Sequence, residues 1–174
     1  MGLDMYLYKK MYVGNNYKEP KDQLKIEVEG VKQERVSEIT EKVGYWRKAN
    51  AIHNWFVINI QDGEDDCKEY YVTVNQLQEL LDDVNKVIEA SELIEGEITN
   101  GCNFKDGKQI PNIEKGTIIK NPAMAKKLLP TTEGFFFGGT GYDEYYYNDL
   151  VDTKKILEEV LKEVNGDFYY SSSW

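Results

Sequence analysis

The sequence has few of the residues that build metal-held or disulfide-linked proteins. Among its 174 residues there are two cysteines, Cys67 and Cys102, and one histidine, His53. The cysteines are too far apart in sequence to form a metal-ligand pair, and in a cytoplasmic chain we expect them to stay reduced. The acidic stretch 61–66 lacks the ligand spacing of an EF-hand. The sequence therefore predicts neither a metal nor a cofactor.

Long hydrophobic runs are also missing. The chain has no apolar run of about 18 residues, the length that suggests a membrane span, and its first residues lack the basic and apolar regions of a secretory signal. Hydrophobic residues still make up 41% of the chain and aromatic residues 13%, enough for the core of one domain. We expect a single cytoplasmic domain over residues 1–174, without membrane contact.

Positive charge is scarce beyond residue 60. Residues 1–60 carry a net charge of +2 and residues 61–174 a net charge of −12, for a total of −10. This balance makes direct binding to nucleic acid unfavourable, because such binding needs lysine and arginine. It suits a partner protein with a basic surface. Acidity can also serve solubility alone, and the sequence leaves both interpretations open.

Alternating apolar residues predict strands in several parts of the chain. The pattern occurs over 3–8, over 24–28 and 31–36 as a hairpin, and over 69–74. The apolar segment 134–137 and the aromatic C-terminal stretch 167–174 have the same strand character. Helical spacing follows a capping box at 73–76 and continues to residue 88. Two further helices are predicted, one from Pro122 to Pro130 and one from about 143 to 166.

The stretch 45–60 is interpreted as a central helix. On a helical wheel its apolar residues fall into two arcs, so we expect burial on both sides. One polar strip between the arcs contains Arg47, Asn50 and Asn54, and buried polar groups need partners. We expect this strip to meet either a carboxylate inside the fold, preferably Asp143 or Glu144, or a ligand. Together the patterns predict an α+β fold with a mostly antiparallel sheet of about five strands, two or three packed helices and an exposed insertion at about 96–120.

Candidate binding residues gather on the central helix and around a glycine-rich segment. Residues 138–141 precede a helix and could present backbone N–H groups to an anion, although they lack the lysine of a P-loop and a tight turn is the simpler interpretation. The tyrosines that follow offer broad stacking surfaces. The predicted ligand- or partner-binding residues are Arg47, Lys48, Asn50, His53, Asn54, Thr140, Tyr142, Asp143, Tyr145 and Trp174.

His53 lies within the wide apolar arc of the central helix. A lone histidine in such a place is more often a hydrogen-bonded core residue than a catalyst. A nucleophile–base pair of Cys67 and His53 is an alternative that the spacing does not support. The sequence therefore predicts no catalytic residue.

Five segments resemble a family of small proteins from bacteriophages and mobile elements. They are GLDMYL at 2–7, VGYWRKANAIHNWFV at 43–57, QDGEDDC at 61–67, GFFFGGTGYDE at 134–144 and YYSSSW at 169–174. The resemblance implies a phage accessory protein, and such proteins often counter host defence. An anti-CRISPR protein that inhibits a Cas9-type nuclease is the member of that class most compatible with the sequence.

Three functions from different classes follow from these observations. The first is a binding protein that inhibits a host defence nuclease. The second is a nucleotide-sequestering protein in which Arg47, Lys48 and the glycine-rich segment bind phosphate while Tyr142, Tyr145 or Trp174 stacks on the base. The third is a small enzyme that uses His53, Asp143 or Cys67.

Overall fold

The computed structural model describes residues 2–14, 17–105, 108–134, 136–163 and 165–174. Its helices and strands are β1 Asp4–Tyr12, β2 Glu38–Arg47, α1 Asn50–Asn59, β3 Tyr70–Val72, α2 Val74–Ala90, β4 Leu93–Lys105, β5 Lys108–Ile119, α3 Ala123–Leu128, α4 Glu144–Val160 and β6 Asp167–Ser173. The strands form a four-stranded antiparallel sheet in the order β2-β1-β6-β3 and a separate hairpin of β4 and β5. The predicted α+β class is confirmed.

The four-stranded sheet has one buried face and one uncovered face. In β1 the side chains of Met5 and Leu7 are fully buried, and in β6 Phe168 and Tyr170 are buried in the same alternating way. These residues join the apolar sides of α1, α2 and α4 in one hydrophobic core. Because side chains alternate across a strand, the residues between them point to the opposite face of the sheet.

The chain before α1 is a strand, which corrects the predicted start of the central helix. Burial alternates at the end of β2, where Gly44 and Trp46 are buried while Tyr45 and Arg47 are exposed. Lys48 then takes the left-handed conformation, with φ of +61°, and α1 starts two residues later. The helical wheel included the last residues of β2 in the helix. These residues pair with β1 instead, and strand pairing takes precedence over a local helical pattern.

The helix itself is buried on two sides, as predicted. Phe56 on the wide arc is fully buried and Trp55 on the narrow arc is only 5% exposed. Ile58, on the same side of the helical wheel as Trp55, is 57% exposed, so the second buried side does not extend to the end of α1.

Two predicted strand regions have other structures. Residues 24–36 contain a 3-10 turn, Gln33–Arg35, where a hairpin was expected. Val28 and Val31 are 58% and 49% exposed, so their alternation has no apolar surface to pack on. The segment 134–137 is also not a strand in its described residues: the Phe137 N–H bonds the Gly134 carbonyl in a turn, and Phe136 has φ of +60°. Residue 135 lies outside the described residues.

The remaining elements agree with the sequence patterns. Thr73 and Gln76 form the reciprocal capping box at the start of α2. The region of the expected insertion at about 96–120 contains the hairpin of β4 and β5, which begins at Leu93, slightly before the predicted boundary. The last long helix ends at Val160, earlier than the predicted end near residue 166; residue 164, within the predicted span, lies outside the described residues.

Candidate functional site

The polar strip of α1 binds the backbone of the segment 129–143, which joins α3 to α4. The Asn50 amide donates to the carbonyls of Phe137 (3.3 Å) and Gly139 (2.8 Å), and its oxygen accepts from the N–H of Thr132 (3.1 Å). The Asn54 amide donates to the carbonyl of Pro130 (3.1 Å). The expected internal partner is therefore backbone and not a carboxylate, and both asparagines fix this segment against the helix.

Arg47 is not part of that strip, which corrects the predicted Arg47–Asp143 cluster. It lies at the end of β2 with its side chain 58% exposed, and its guanidinium is 3.6 Å from the carboxylate of Asp4. Asp143 instead caps α4, where it accepts from the N–H groups of Tyr145 (3.0 Å) and Tyr146 (3.2 Å). The prediction of this cluster was wrong because Arg47 belongs to a strand, and the exposed side chains of that strand point away from the core.

The glycine-rich segment does not offer the predicted anion site. Two of the N–H groups that an anion would use at the start of α4 are already bound by the Asp143 carboxylate. Within the same segment, the Thr140 carbonyl accepts from the Thr131 hydroxyl (3.1 Å), and the Tyr142 hydroxyl accepts from the Thr131 N–H (3.3 Å). Lys48 is exposed at the turn before α1. These contacts close the segment on itself, and of its glycines Gly138 takes a positive φ of 96° that favours glycine.

His53 lies at the centre of a hydrogen-bond network that runs from the core to the surface. Its Nδ1 is 2.7 Å from the hydroxyl of Tyr170 and its Nε2 is 2.9 Å from Oδ2 of Asp65. Oδ1 of Asp65 accepts from the indole N–H of Trp174 (3.1 Å). Burial raises the pKa of the Tyr170 phenol well above its usual value, so this hydroxyl stays protonated and can donate to Nδ1 while Nε2–H donates to Asp65.

This network positions the end of the chain instead of activating a nucleophile. His53 is 1% exposed and both of its ring nitrogens are bound, so it is a hydrogen-bonded core residue. Cys67 is an exposed free thiol and is not the group that bonds His53. The Tyr170 ring stacks on Phe56 with 3.9 Å between the centroids, which joins β6 to α1.

An open cleft of about 320 Å³ lies beside this network. Aromatic rings and carboxylates dominate its lining: Phe137 and Trp174 meet edge to face with centroids 5.8 Å apart, and Asp65 and Glu133 supply the carboxylates. The described residues that line it are His53, Asn54, Val57, Asp65, Thr132, Glu133, Gly134, Phe137 and Trp174. Three of these residues, His53, Asn54 and Trp174, were predicted binding residues. Asp65 was not; it was considered only within the acidic stretch 61–66, as a possible metal ligand.

A second surface was not recognised from the sequence. Five tyrosines lie beside one another on the uncovered side of the four-stranded sheet, because Tyr6 pairs in register with Tyr45 and Tyr169 pairs with both Tyr8 and Tyr71. We call Tyr6, Tyr8, Tyr45, Tyr71 and Tyr169 the tyrosine face. Tyr45 is 43% exposed and Tyr71 is 53% exposed, while the other three are half-buried among their neighbours.

The rings of the tyrosine face contact one another across strands. Ring centroids are 5.9 Å apart for Tyr6 and Tyr8, 5.5 Å for Tyr6 and Tyr45, and 5.6 Å for Tyr71 and Tyr169. These contacts restrict the side chains before any partner arrives. The surface is therefore a broad aromatic platform that is already ordered.

Charged residues border the tyrosine face and are largely paired. The ammonium of Lys10 lies 4.5 Å from the ring centre of Tyr169 and also pairs with Glu69. Lys42 lies 5.6 Å from the ring centre of Tyr45, and Arg47 pairs with Asp4 at the end of the sheet. The platform therefore combines stacking surface with little local excess of either charge.

The comparisons with known proteins add no family to this geometry. The chain matches no family model, no curated protein and no solved structure. None of the helices in the described part of the chain has the length and apolar character needed to cross a membrane.

Proposed function

We propose that this protein acts by binding another protein through the tyrosine face, and that the partner is a host defence nuclease with a basic surface. The observation that carries the proposal is the set of five tyrosines on the uncovered side of the sheet. A sheet side that faces only water is usually polar. A continuous aromatic surface in that place is the kind of patch that marks an interaction site.

Tyrosine suits this role for physical reasons. It buries a large ring area on binding, keeps a hydroxyl for hydrogen bonds and has few rotatable bonds to immobilise. Residues of this type are enriched among those that dominate the binding energy of protein interfaces. The mutual contacts of Tyr6, Tyr8 and Tyr45 reduce the ordering cost further.

The charge of the chain favours a basic partner. Residues 61–174 carry a net charge of −12, and complementary potentials accelerate and orient association. Lys10 and Lys42 already lie over tyrosine rings, so the same rings are suited to arginine or lysine side chains of a partner. With the phage-like segments of the sequence, this supports a counter-defence protein of the infected cell's cytoplasm that inhibits a Cas9-type nuclease, whose nucleic-acid channel is basic.

The other hypotheses fit less well. A nucleotide-sequestering protein needs cations for the phosphates, but the described residues of the cleft include Asp65 and Glu133 and neither lysine nor arginine. Single-stranded nucleic acid also stacks on aromatic platforms. Here, however, Lys10 and Arg47 are paired with carboxylates and the whole chain is acidic. Of the residues considered for an enzyme, His53 is buried with both ring nitrogens bound and the Asp143 carboxylate caps α4.

A cleavage assay tests the proposal. A Cas9-type nuclease loaded with guide RNA is incubated with the protein and then given matching duplex DNA. We expect inhibition at stoichiometric concentrations, and an association rate that falls as salt is raised because the charges are screened. Full cleavage at a large molar excess of the protein would reject the nuclease as the partner. Saturable binding to a single-stranded oligonucleotide, without inhibition, would favour the nucleic-acid alternative.

A further inference from the structure

The cleft beside Trp174 has a lining suited to one class of ligand. Trp174 is 49% exposed, so much of its indole surface is open to solvent. Its N–H is held by Asp65 and its ring is braced against Phe137. Phe137 is in turn held edge to face against His53, with centroids 5.2 Å apart. The aromatic wall is thus fixed from behind by the hydrogen-bond network.

The carboxylates beside these rings retain binding capacity. Asp65 accepts one hydrogen bond on each oxygen, from His53 and from Trp174, while an ionised carboxylate has about four lone-pair sites. Its side chain is 24% exposed. Glu133 is exposed at the same cleft. Two carboxylates and two aromatic rings, with neither lysine nor arginine among the described lining residues, create a negative site with a π surface.

We propose that this cleft binds an organic cation of side-chain size, namely a guanidinium or alkylammonium group. The cation stacks on the indole of Trp174 and its N–H groups donate to Asp65 and Glu133. Aromatic rings attract such cations through their electron-rich surfaces, and carboxylates supply charge-assisted hydrogen bonds. The volume of about 320 Å³ accommodates a group of this size, and its lining opposes phosphate.

The cation has two possible sources, a free small molecule or an arginine or lysine side chain of a bound protein. The second source rests on the function proposed above, and the first does not. Both are examined with the isolated protein, using ethylguanidinium as the free cation and N-acetylarginine amide as the side-chain mimic. N-acetylcitrulline amide has nearly the same shape as the arginine probe without the charge, so it is the matched neutral control.

Trp174 provides the signal for the titration. Trp46 and Trp55 are 4% and 5% exposed while Trp174 is 49% exposed, so a ligand that covers Trp174 changes the accessible tryptophan fluorescence selectively. We expect saturable binding of the arginine probe in the millimolar range and at least tenfold weaker binding of the citrulline probe. Stronger binding of N-acetylarginine amide than of ethylguanidinium would indicate a protein side chain as the source, and the reverse order a free cation.

Two variants separate the local site from the net charge of the protein. Glu133→Gln should lower the affinity for the arginine probe about three- to tenfold. Glu97→Gln, the same change at an exposed position of β4, should leave that affinity unchanged. The proposal would be overturned if the arginine and citrulline probes bound equally well, or if both variants lost the same affinity. It would also be overturned if the arginine probe did not saturate by about 20 mM, or if inorganic phosphate bound more tightly. None of these results depends on nuclease inhibition, so the cleft and the tyrosine face can fail separately.

Discussion

The hydroxyl of Tyr170 and Nδ1 of His53 are 2.7 Å apart in the buried part of the fold. This contact joins the last strand to α1, two elements separated by more than a hundred residues. Tyr170→Phe keeps the ring that stacks on Phe56 but leaves the His53 nitrogen without its partner. We expect the free energy of unfolding to fall by about 1–3 kcal/mol, the usual cost of an unsatisfied buried polar group.

Urea denaturation of Tyr170→Phe and Tyr169→Phe makes this comparison directly. Tyr169 is the neighbouring residue on β6 and points to the uncovered side of the sheet, so loss of its hydroxyl should change stability by less than about 0.5 kcal/mol. Equal effects of the two substitutions would show that the His53 contact contributes nothing.

Asn50 should be the most important polar residue of α1 for stability. Its three hydrogen bonds hold Thr132, Phe137 and Gly139, and it is only 4% exposed. Asn50→Ala should lower the free energy of unfolding by about 2–4 kcal/mol because three backbone groups, one buried and two partly buried, lose their partner. Asn59→Ala is the control, since Asn59 is exposed and bonds only the Trp55 carbonyl of its own helix. A thermal melt in which the two variants coincide would contradict the clamping role.

Asp149 should make the protein less stable as the pH rises. Burial, with the nearby carboxylates of Asp152 and Asp143, raises its pKa to about 7 from the ordinary value of 3.8. Between these values the folded chain binds more protons than the unfolded chain, so the free energy of unfolding decreases from about pH 4 to pH 7. Asp149→Asn removes the ionisation and should raise stability at pH 8 by about 1–3 kcal/mol, with little change at pH 4.

Asp152→Asn serves as the control for the pH experiment. Its side chain is 65% exposed and forms an ion pair with Lys155, so its replacement should have a smaller effect at pH 8. Chemical denaturation of both variants at the two pH values provides the measurement. A gain for Asp149→Asn that is the same at pH 4 and pH 8 would show that ionisation is not its cause.

Lys9 is a buried cation held by carboxylates from two elements. Its ammonium is 3.1 Å from both Glu41, in the neighbouring strand β2, and Glu163, beyond α4. The hydrogen bond to Glu41, and to a smaller extent the one to Glu163, raises the pKa of Lys9. The ammonium group of Lys9 therefore remains charged at neutral pH. Glu41→Gln with Glu163→Gln should lower stability by about 1–3 kcal/mol, because the buried charge loses its compensation.

Lys9→Met should cost less than that double substitution, since methionine fills similar space without needing a partner. Guanidinium chloride is unsuitable here because it screens ion pairs, so urea titrations at low and high salt are the measurement. If Lys9→Met proves more harmful than the loss of both glutamates, the ammonium stabilises the fold by contacts other than these pairs.

The sequence predicts the fold class because the relevant signals are local. Capping at Thr73 and the apolar spacing that follows it specify the start and the buried side of α2. The boundary between β2 and α1 could not be found in this way, because Lys48 takes a left-handed conformation that is uncommon for lysine. Strand pairing with β1, a contact between distant residues, decides that boundary.

The surfaces were harder to predict because they depend on strand order. Tyr6 and Tyr8 alternate with buried residues of β1, so the sequence contains the signal that both point the same way. Only the register with β2, β3 and β6 brings Tyr45, Tyr71 and Tyr169 beside them. Asp65 and Trp174 likewise meet across more than a hundred residues, and neither a period nor a short motif indicates that contact.

We propose above all that the tyrosine face binds a basic partner protein. The affinity of the protein for a guide-loaded Cas9-type nuclease tests this proposal most directly. Tyr45→Ala with Tyr71→Ala removes the two most exposed rings of the face. Tyr17→Ala with Tyr145→Ala removes two rings that do not belong to the face and are 87% and 46% exposed.

Both double variants should remain folded, which their thermal melts can confirm, since all four side chains are solvent-exposed. We predict that the first double variant binds at least about 30-fold more weakly than the wild type, a loss of about 2 kcal/mol, while the second binds as the wild type does. Unchanged affinity in the first variant, or the same loss in both, would contradict the proposal.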